Sequence, residues 1–278
     1  MGRLIQFCTE ESLYNGPFEW QAAGMGYIIV TDNGKLICID GGGTRKDGEG
    51  MISLLEKNTV GKPAVDLWIL THPHNDHFEA LWNIAIDEDL RERIDVRCLA
   101  YSIPESMPWV SKGGTADSAS DLAKVNSLAS LLKAKVCRLY KNMDLHIDNV
   151  TFHCLHTYEN LSVITDPNEY SSVFMLKGSQ KSAMFTGDAY ESCLQTIIAD
   201  PECPDLKCDI LQVAHHALNG GSTEFYKQVN AKTVLVPTSE SGNRAMMNAG
   251  EYHKHNAFAI AQAQTIIKAF TGTASIEF

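Results

Sequence analysis

The segment Thr71-His72-Pro73-His74-Asn75-Asp76-His77 gathers three histidines and an aspartate within six residues. It follows a short apolar run, Asp66 to Thr71, and precedes Phe78 to Ile86, where Leu81, Ile84 and Ala85 recur at helical spacing. The cluster therefore lies where a strand hands over to a helix. On an extended segment His72 and His74, two residues apart, point their imidazoles the same way and can share one metal. Asp76 and His77 follow at the turn, where a carboxylate and an imidazole can serve a second metal close by. Two cations bridged by an oxygen can hold a hydroxide ready at neutral pH. The bland alternative, a polar loop rich in histidine, fits poorly between a buried strand and a helix.

The rest of the chain alternates strand and helix. Leu4 to Thr9, Gly26 to Thr31 and Lys35 to Asp40 read as strands, with Asp32-Asn33-Gly34 as a hairpin turn and a helix around Met51 to Asn58. Asp95 to Ala100 reads as a strand, and Asp121 to Ala134 as a helix carrying Leu122, Val125, Leu128, Leu131 and Leu132. Strands are expected again at Val150 to His156, Ser171 to Lys177 and Ser182 to Thr186, followed by a helix near Tyr190 to Ile198. The series ends with Asp209 to Ala214 (strand), Thr223 to Val229 (helix), Thr233 to Pro237 (strand), Ala257 to Phe270 (helix) and Ser275 to Phe278 (strand). Each half places strands first and helices later. That grammar predicts one α/β domain of two sheets packed face to face with helices on both outer faces, its halves spanning roughly 1–145 and 146–278. Gly113-Gly114 and the polar stretch Tyr158 to Glu169 are the expected loops over a site.

Composition narrows the partners. A formal charge of −11 opposes nonspecific attraction to nucleic acid or anionic lipid. Lys177, Lys181, Lys227 and Lys232 are isolated rather than clustered into a basic track, so nucleic acid is expected only as a short substrate. Two divalent cations would bring roughly four positive charges to the pocket, which leaves a small, anionic substrate favoured. The eight cysteines are scattered, most in apolar runs such as Leu36-Ile37-Cys38-Ile39, and read as reduced core thiols; Cys203 and Cys208 have the wrong spacing for a zinc knuckle. Arg3, Glu10 and Glu11 interrupt the N-terminal stretch and no later run has the length of a membrane span, so a cytoplasmic, soluble protein with no membrane partner is expected.

The Thr71 to His77 segment resembles the His-x-His-x-Asp-His signature of the metallo-β-lactamase superfamily, and other positions agree with that resemblance. Ile39-Asp40-Gly41-Gly42-Gly43 is similar to the family's early aspartate and glycine turn, which would put Asp40 behind the metal ligands. Phe185-Thr186-Gly187-Asp188-Ala189 resembles its Gly-Asp position, implying Asp188 as the bridging ligand. Leu211 to His216 ends a strand with paired histidines, similar to the His-His-Gly motif of the branch containing the hydrolase-like domain of the DNA-uptake competence channel and the choline-phosphate esterases. Within the pair His215 is the expected ligand, because adjacent side chains diverge on an extended backbone and His216 would then face substrate or a supporting group. Asn168 stands where most of these hydrolases have a further histidine, and His156 is a candidate to compensate for it; the plainer reading of His153 and His156 is a local hydrogen bond on a strand. The cluster Glu251 to Asn256, with His253 and His255, reads equally as a phosphate contact or as a solvated loop with Asn256 capping the last helix, and Arg244 beside a flexible Ser239 to Asn243 is ambiguous in the same way.

The resemblance implies a four-layer αββα sandwich and a metal-dependent hydrolase. The implied ligands are His72, His74, Asp76, His77, Asp188 and His215, with Asp76 orienting or deprotonating the nucleophile and His216 as a further catalytic candidate. One or two divalent ions are expected, zinc first for an imidazole-rich site, manganese or iron as alternatives. The branch points to a phosphodiesterase or other phosphoesterase. Hydrolysis of a lactone, thioester or β-lactam is the alternative on the same centre. A non-enzymatic protein whose metals organise a ligand pocket is the third reading.

Overall fold

The computed structural model describes residues 1–17, 23–104, 116–162, 164, 166–248 and 250–278; the Gly113-Gly114 pair lies outside the described residues. Three strands, β1 (Arg3–Gln6), β2 (Gly26–Val30) and β3 (Leu36–Asp40), open the chain as an antiparallel meander. The turn between β2 and β3 is where the sequence puts it, with Gly34 at φ +80° donating its N–H to the Thr31 carbonyl. All ten residues of β2 and β3 are buried. Alternation then sorts their side chains: Ile28 and Cys38 face one way, Ile29, Ile37 and Ile39 the other.

Parallel crossovers extend this sheet through α1 (Arg45–Lys57), β4 (Ala64–Ile69), α2 (Asn75–Ile86), α3 (Glu88–Arg91), β5 (Asp95–Val96), β6 (Cys98–Tyr101), α4 (Ala116–Leu132) and β7 (Lys135–Arg138). The second sheet starts with four antiparallel strands, β8 (Asp144–Ile147), β9 (Val150–His156), β10 (Val173–Lys177) and β11 (Ser182–Phe185). It continues in parallel through α5 (Glu191–Ile198), β12 (Ile210–Gln212), α6 (Thr223–Val229), β13 (Thr233–Val236), α7 (Glu240–Asn248), α8 (Lys254–Gln262) and β14 (Thr265–Lys268). The last strand, β15 (Ala274–Glu277), returns to pair with β1. An eight-stranded sheet, β15-β1-β2-β3-β4-β6-β7 with β5 beside β4, thus faces a seven-stranded one, β14-β13-β12-β11-β10-β9-β8.

Three apolar layers follow. Ile28, Trp68 and Leu99 meet Met51 and Leu55 of α1, Phe78 and Leu81 of α2 and Val125 of α4. Tyr27, Ile37 and Ile69 meet Phe152, Phe174 and Phe185 between the sheets. Met184, Leu211 and Val234 meet Leu194 of α5 and Phe225 of α6. The chain is therefore the α/β sandwich of two sheets flanked by helices that the sequence predicts. Among the described residues no helix is long and apolar enough to cross a membrane.

The elements depart from the sequence expectation at definite places. Helix α1 begins two turns before Met51, because Thr44 and Asp47 form a capping box that offsets the glycines in those turns. Gly48 is there for packing: a Cβ would stand 2.9 Å from the Ala80 carbonyl oxygen of α2. The helix expected over Ala257 to Phe270 stops at Gln262, and the β-branched run Thr265-Ile266-Ile267 instead pairs with β13. The expected flexible stretch at Ser239 to Asn243 lies largely in α7, and Asp95 to Ala100 splits into β5 and β6. Strands β7 and β8, half-exposed with weak alternation, have no counterpart in the sequence reading. Tyr158 to Glu169 holds two short 3-10 turns, Tyr158–Asn160 and Pro167–Tyr170, each closed by a capping box.

Candidate metal centre

The site forms where β3, β4, β11 and β12 end side by side. After β4 the chain runs through Thr71 and His72 to His74, the N-cap residue of α2, so Asp76 and His77 occupy that helix's first turn. Asp40, at the end of β3, is fully buried at φ +50°. Its Oδ1 accepts the Thr71 N–H at 2.9 Å, and its Oδ2 accepts the Thr71 hydroxyl at 2.8 Å and His77 Nδ1 at 2.8 Å. A carboxylate only accepts, so His77 carries its proton on Nδ1 and offers Nε2. Because the Thr71 hydroxyl already donates to Asp40, its lone pair accepts from His72 Nδ1 at 3.1 Å, which leaves His72 Nε2 as a buried atom without a hydrogen-bond partner.

Asp188 follows β11 on a tight left-handed turn that favours glycine. Gly187 has φ +53°, and a Cβ on it would stand 3.0 Å from Thr71 Cβ and 3.1 Å from Ser171 Oγ. The fully buried Gln212 of β12 clamps this turn. Its Oε1 accepts the N–H groups of Thr186 and Gly187, each at 2.8 Å, while its Nε2 donates to the Gly187 carbonyl at 3.0 Å. The Asp188 N–H donates to Ser171 Oγ at 3.0 Å. The sequence reading passed over Gln212; its signal was a glutamine inside the apolar run Ile210 to Val213.

After β12, three successive residues, His215, His216 and Ala217, have φ of 50°, 52° and 63°. Left-handed backbone costs an L-residue roughly 1–2 kcal/mol. Here Asn256 of α8 offsets that cost. Buried completely, its Nδ2 faces the carbonyls of Ala214, Leu218 and Gly220 at 3.0, 2.8 and 3.2 Å. Its Oδ1 accepts the Tyr226 hydroxyl at 2.8 Å, and that oxygen accepts the Ala214 N–H at 3.0 Å. Asn256 therefore anchors the histidine turn; the N-cap residue of α8 is His253.

The turn also removes the extended backbone on which the expected roles of the paired histidines rest, since the alternation that separates neighbours applies to extended chain. His216 is buried, its Nδ1 donates to the Pro237 carbonyl at 2.8 Å, and its Nε2 points inward. That atom is 3.0 Å from Asp76 Oδ2, 3.3 Å from Asp188 Oδ2 and 3.2 Å from His77 Nε2. His77 Nε2 is in turn 3.2 Å from Asp188 Oδ1. His215 remains at the edge, 13% exposed, with Nε2 at 3.8 Å from Asp188 Oδ2. Two donor sets result, each with its ligand atoms within 4.8 Å of one another: Asp76, His77, Asp188 and His216, and His72, His74 and Asp188. Asp188 belongs to both.

These groups fit a divalent cation. Two carboxylates and two imidazole Nε2 atoms converge in the first set, and both imidazoles have their other nitrogen fixed by an oxygen. Burial disfavours charge throughout, yet at His77 the carboxylates of Asp188, Asp40 and Asp76 outweigh it and hold the imidazolium well above its usual range. At His216 burial is likewise outweighed, by Asp188 and Asp76, and the group is raised to about 10. Burial would raise Asp76 and Asp188, but His77 and His216 hold both well below the carboxylate range. His72 goes the other way, depressed by burial and by His77. Positive charge is thus demanded at one point, where a metal would supply it.

The remaining candidates lie elsewhere. His153 pairs with Asp144 at 2.7 Å. His156 lies under α5, where its Nδ1 meets Thr196 Oγ1 at 2.8 Å, and it joins neither donor set. Asn168 Nδ2 donates to the Tyr190 hydroxyl at 2.8 Å, and its Oδ1 is buried without a hydrogen-bond partner. His253 Nδ1 meets the Ala217 carbonyl at 3.2 Å, and His255 Nδ1 accepts the Thr223 N–H at 2.9 Å. Arg244 ties α7 to the N-terminal segment through Asn15 Oδ1, at 2.6 Å, and the Gly16 carbonyl.

A family model described as the metallo-beta-lactamase superfamily matches residues 23–94, the stretch that holds Asp40 and the His72 to His77 cluster. Among solved structures the chain is similar to Zn(2+)-bound PqqB from Methylobacterium extorquens, at 9% identity and TM-score 0.58, with 100% of both chains covered. It is similar to the metallo-beta-lactamase fold protein YhfI from Bacillus subtilis, at 12% identity and TM-score 0.54, covering 99% of this chain and 100% of that one. It is also similar to a diphosphatase from the PhnP family, at 12% identity and TM-score 0.54, covering 100% and 98%. No curated protein matches. At these identities the likeness is one of fold, and the fold is that of the metallo-β-lactamases.

Proposed function

We propose that the whole chain is one catalytic domain of the metallo-β-lactamase superfamily, a metal-dependent hydrolase acting on small phosphodiesters or related phosphoesters. The observation that carries this reading is the convergence of two donor sets on one shared carboxylate, Asp188. Asp76, His77, Asp188 and His216 would hold one divalent cation, and His72, His74 and Asp188 would contribute to a second, zinc being the first expectation for so many imidazoles. Bound there, such cations supply Lewis acidity toward a phosphoryl oxygen and lower the pKa of water.

The protein's own part is orientation. Asp40, Thr71 and the Pro237 carbonyl fix the His77, His72 and His216 rings so that each offers Nε2. Asp76, at 19% exposure the most open ligand of the first set, is the group placed to accept a proton from an attacking water. Buried His216 becomes a ligand in this reading. His215 takes the substrate-facing edge beside Tyr190, whose ring centroid is 5.5 Å away.

Hard phosphate oxygens suit divalent cations, and a chain of charge −11 with scattered lysines favours a small diester over a polynucleotide. The paired histidines and Asn168 keep the competence-channel and choline-phosphate esterase branch as the preferred kinship. The test is metal content together with turnover of bis-p-nitrophenyl phosphate, comparing the purified protein with His74→Ala and Asp188→Asn. Bound metal with diesterase activity lost in both variants is expected. A metal-free protein, or one that hydrolyses neutral carbonyl esters and no diester, would overturn the proposal.

A further inference from the structure

Thr238 is 1% exposed, yet its Oγ1 has no hydrogen-bond partner. A buried hydroxyl left unpaired costs stability, so its persistence asks for a role outside the fold. The hydroxyl lies against the first turn of α7. Gly242 in that turn has no side chain, and a Cβ there would stand 2.4 Å from Thr238 Oγ1. Because Cα–Cβ bonds in a helix tilt toward its N-terminus, the hydroxyl occupies the N-terminal side of the turn. The same turn carries further donors. Ser239 Oγ accepts the Gly242 N–H at 3.0 Å and the Ser239 carbonyl accepts that of Asn243 at 2.9 Å, while the N–H groups of Glu240 and Ser241 have no acceptor among the described residues. Ser239 Oγ is also 3.0 Å from Ser241 Oγ, and both side chains are buried. With one lone pair on the Gly242 N–H, Ser239 can donate to Ser241, whose own hydrogen is then free. Two N–H groups and two hydroxyls thus gather at the positive end of a nine-residue helix.

The place of this turn in the fold sets what would bind there. Strands β12 and β13 run parallel, and the residues after them are neighbours at the C-terminal edge, where open α/β sheets bind ligands. Pro237, next to Thr238, accepts the His216 Nδ1 proton on its carbonyl at 2.8 Å, and His216 Nε2 is 3.0 Å from Asp76 Oδ2. One imidazole ring therefore separates the end of β13 from the first donor set. Arg244, one turn along α7, reaches back to the first turn, where it pairs with Glu240 at 3.5 Å. Its other partners are neutral oxygens of Asn15 and Gly16, which bind a guanidinium less strongly than an anion does. Resting on the metallo-hydrolase reading above, we propose that the first turn of α7 is an anion subsite, in which Thr238, Ser241 and the N–H groups of Glu240 and Ser241 hold a second, non-scissile phosphate of the substrate beside the metal centre. Arg244 exchanges its neutral partners for that phosphate. The substrate class narrows to phosphoesters that carry a further phosphate near the scissile one.

Inorganic sulfate, which has the shape of phosphate and binds metal weakly, is the probe, titrated calorimetrically into the purified protein. Wild type is expected to bind one sulfate, and Asp188→Asn, which breaks both donor sets, should bind it as well. Thr238→Val keeps the side-chain shape without the hydroxyl and should weaken binding roughly 10–100-fold. Without sulfate it should unfold no earlier than wild type, since the hydroxyl it loses has no partner, whereas a hydroxyl serving only the fold would give the opposite result. In turnover, wild type should show a lower KM for a p-nitrophenyl diester bearing a second phosphate than for bis-p-nitrophenyl phosphate, and Thr238→Val should erase that difference. Sulfate that fails to bind wild type, binds Thr238→Val equally or is lost in Asp188→Asn would overturn the subsite. So would a Thr238→Val protein that unfolds early, or equal KM values for the two diesters in wild type. A protein that binds sulfate through Thr238 but holds no metal would keep the subsite and overturn the metallo-hydrolase reading alone.

Discussion

Asp40 belongs to neither donor set, yet replacing one of its oxygens should reach the candidate metal centre through His77. In Asp40→Asn the backbone is little disturbed, because asparagine accepts the left-handed φ of +50° readily. The amide oxygen can still accept the Thr71 N–H in place of Oδ1, and the Thr71 hydroxyl can rotate to accept from the new NH2 group. His77 has no such freedom. Its Nδ1–H would meet an N–H donor where it now meets Oδ2 at 2.8 Å, so the ring must give up that bond or move its proton to Nε2, the atom it offers to the cation. A hydrogen bond to a charged group is worth about 1.5–3 kcal/mol. At 1.4 kcal/mol per decade, that is a loss of roughly 10–100-fold in affinity for the first cation. Competition against a chromogenic chelator measures the affinity, and circular dichroism checks the fold. A folded Asp40→Asn protein that binds its first equivalent as tightly as wild type would refute the claim that Asp40 sets the His77 tautomer.

Two further perturbations test the surroundings of the site. Burial and the neighbouring Asp47 raise Glu11 to about 8, so the folded chain holds its proton where the unfolded chain, near the ordinary 4.5, does not. The stability from that proton is complete below pH 4.5 and is lost as pH rises through 8. Glu11→Gln needs no proton to donate toward Asp47. Its unfolding free energy should match wild type near pH 4.5 and exceed it by pH 8–9, by about 1–2 kcal/mol after allowance for the solvent that reaches this half-buried group, read as a higher melting temperature; a gap that does not widen with pH would remove the basis for the pairing. Asn256→Asp sets a carboxylate against three carbonyls and should cost roughly 3–5 kcal/mol, read as a lower denaturant midpoint. A loss under 1 kcal/mol would mean that the left-handed turn holds without Asn256.

What the sequence made legible was whatever is written over a few neighbouring residues. The strand β9 was read with its observed bounds, and the hairpin at Asp32-Asn33-Gly34 is local turn chemistry. His72 and His74, with Asp76 and His77 at the start of the next helix, come together because one strand-to-helix junction sets all four. Asp188 was readable for the same reason, as the residue after a glycine that ends a strand.

The pair His215 and His216 escaped this kind of reading, and the cause is physical. Alternation in an extended chain assigns neighbours to opposite faces, but residues 215–217 are left-handed, and what holds them so is Asn256, which reaches the Ala214 carbonyl from 42 positions away and the Ala214 N–H through Tyr226. The polar cluster near the end of the chain carried that information, though nothing in its spacing says which loop Asn256 will meet. Gln212 escaped too: a lone glutamine in an apolar run becomes meaningful only when β11 lies beside β12 and its turn needs two N–H groups satisfied. Side chains set by a local junction can therefore be placed together from sequence. Those delivered by a backbone that a distant side chain bends into place cannot, and here that backbone decides which histidine is turned toward Asp76 and Asp188.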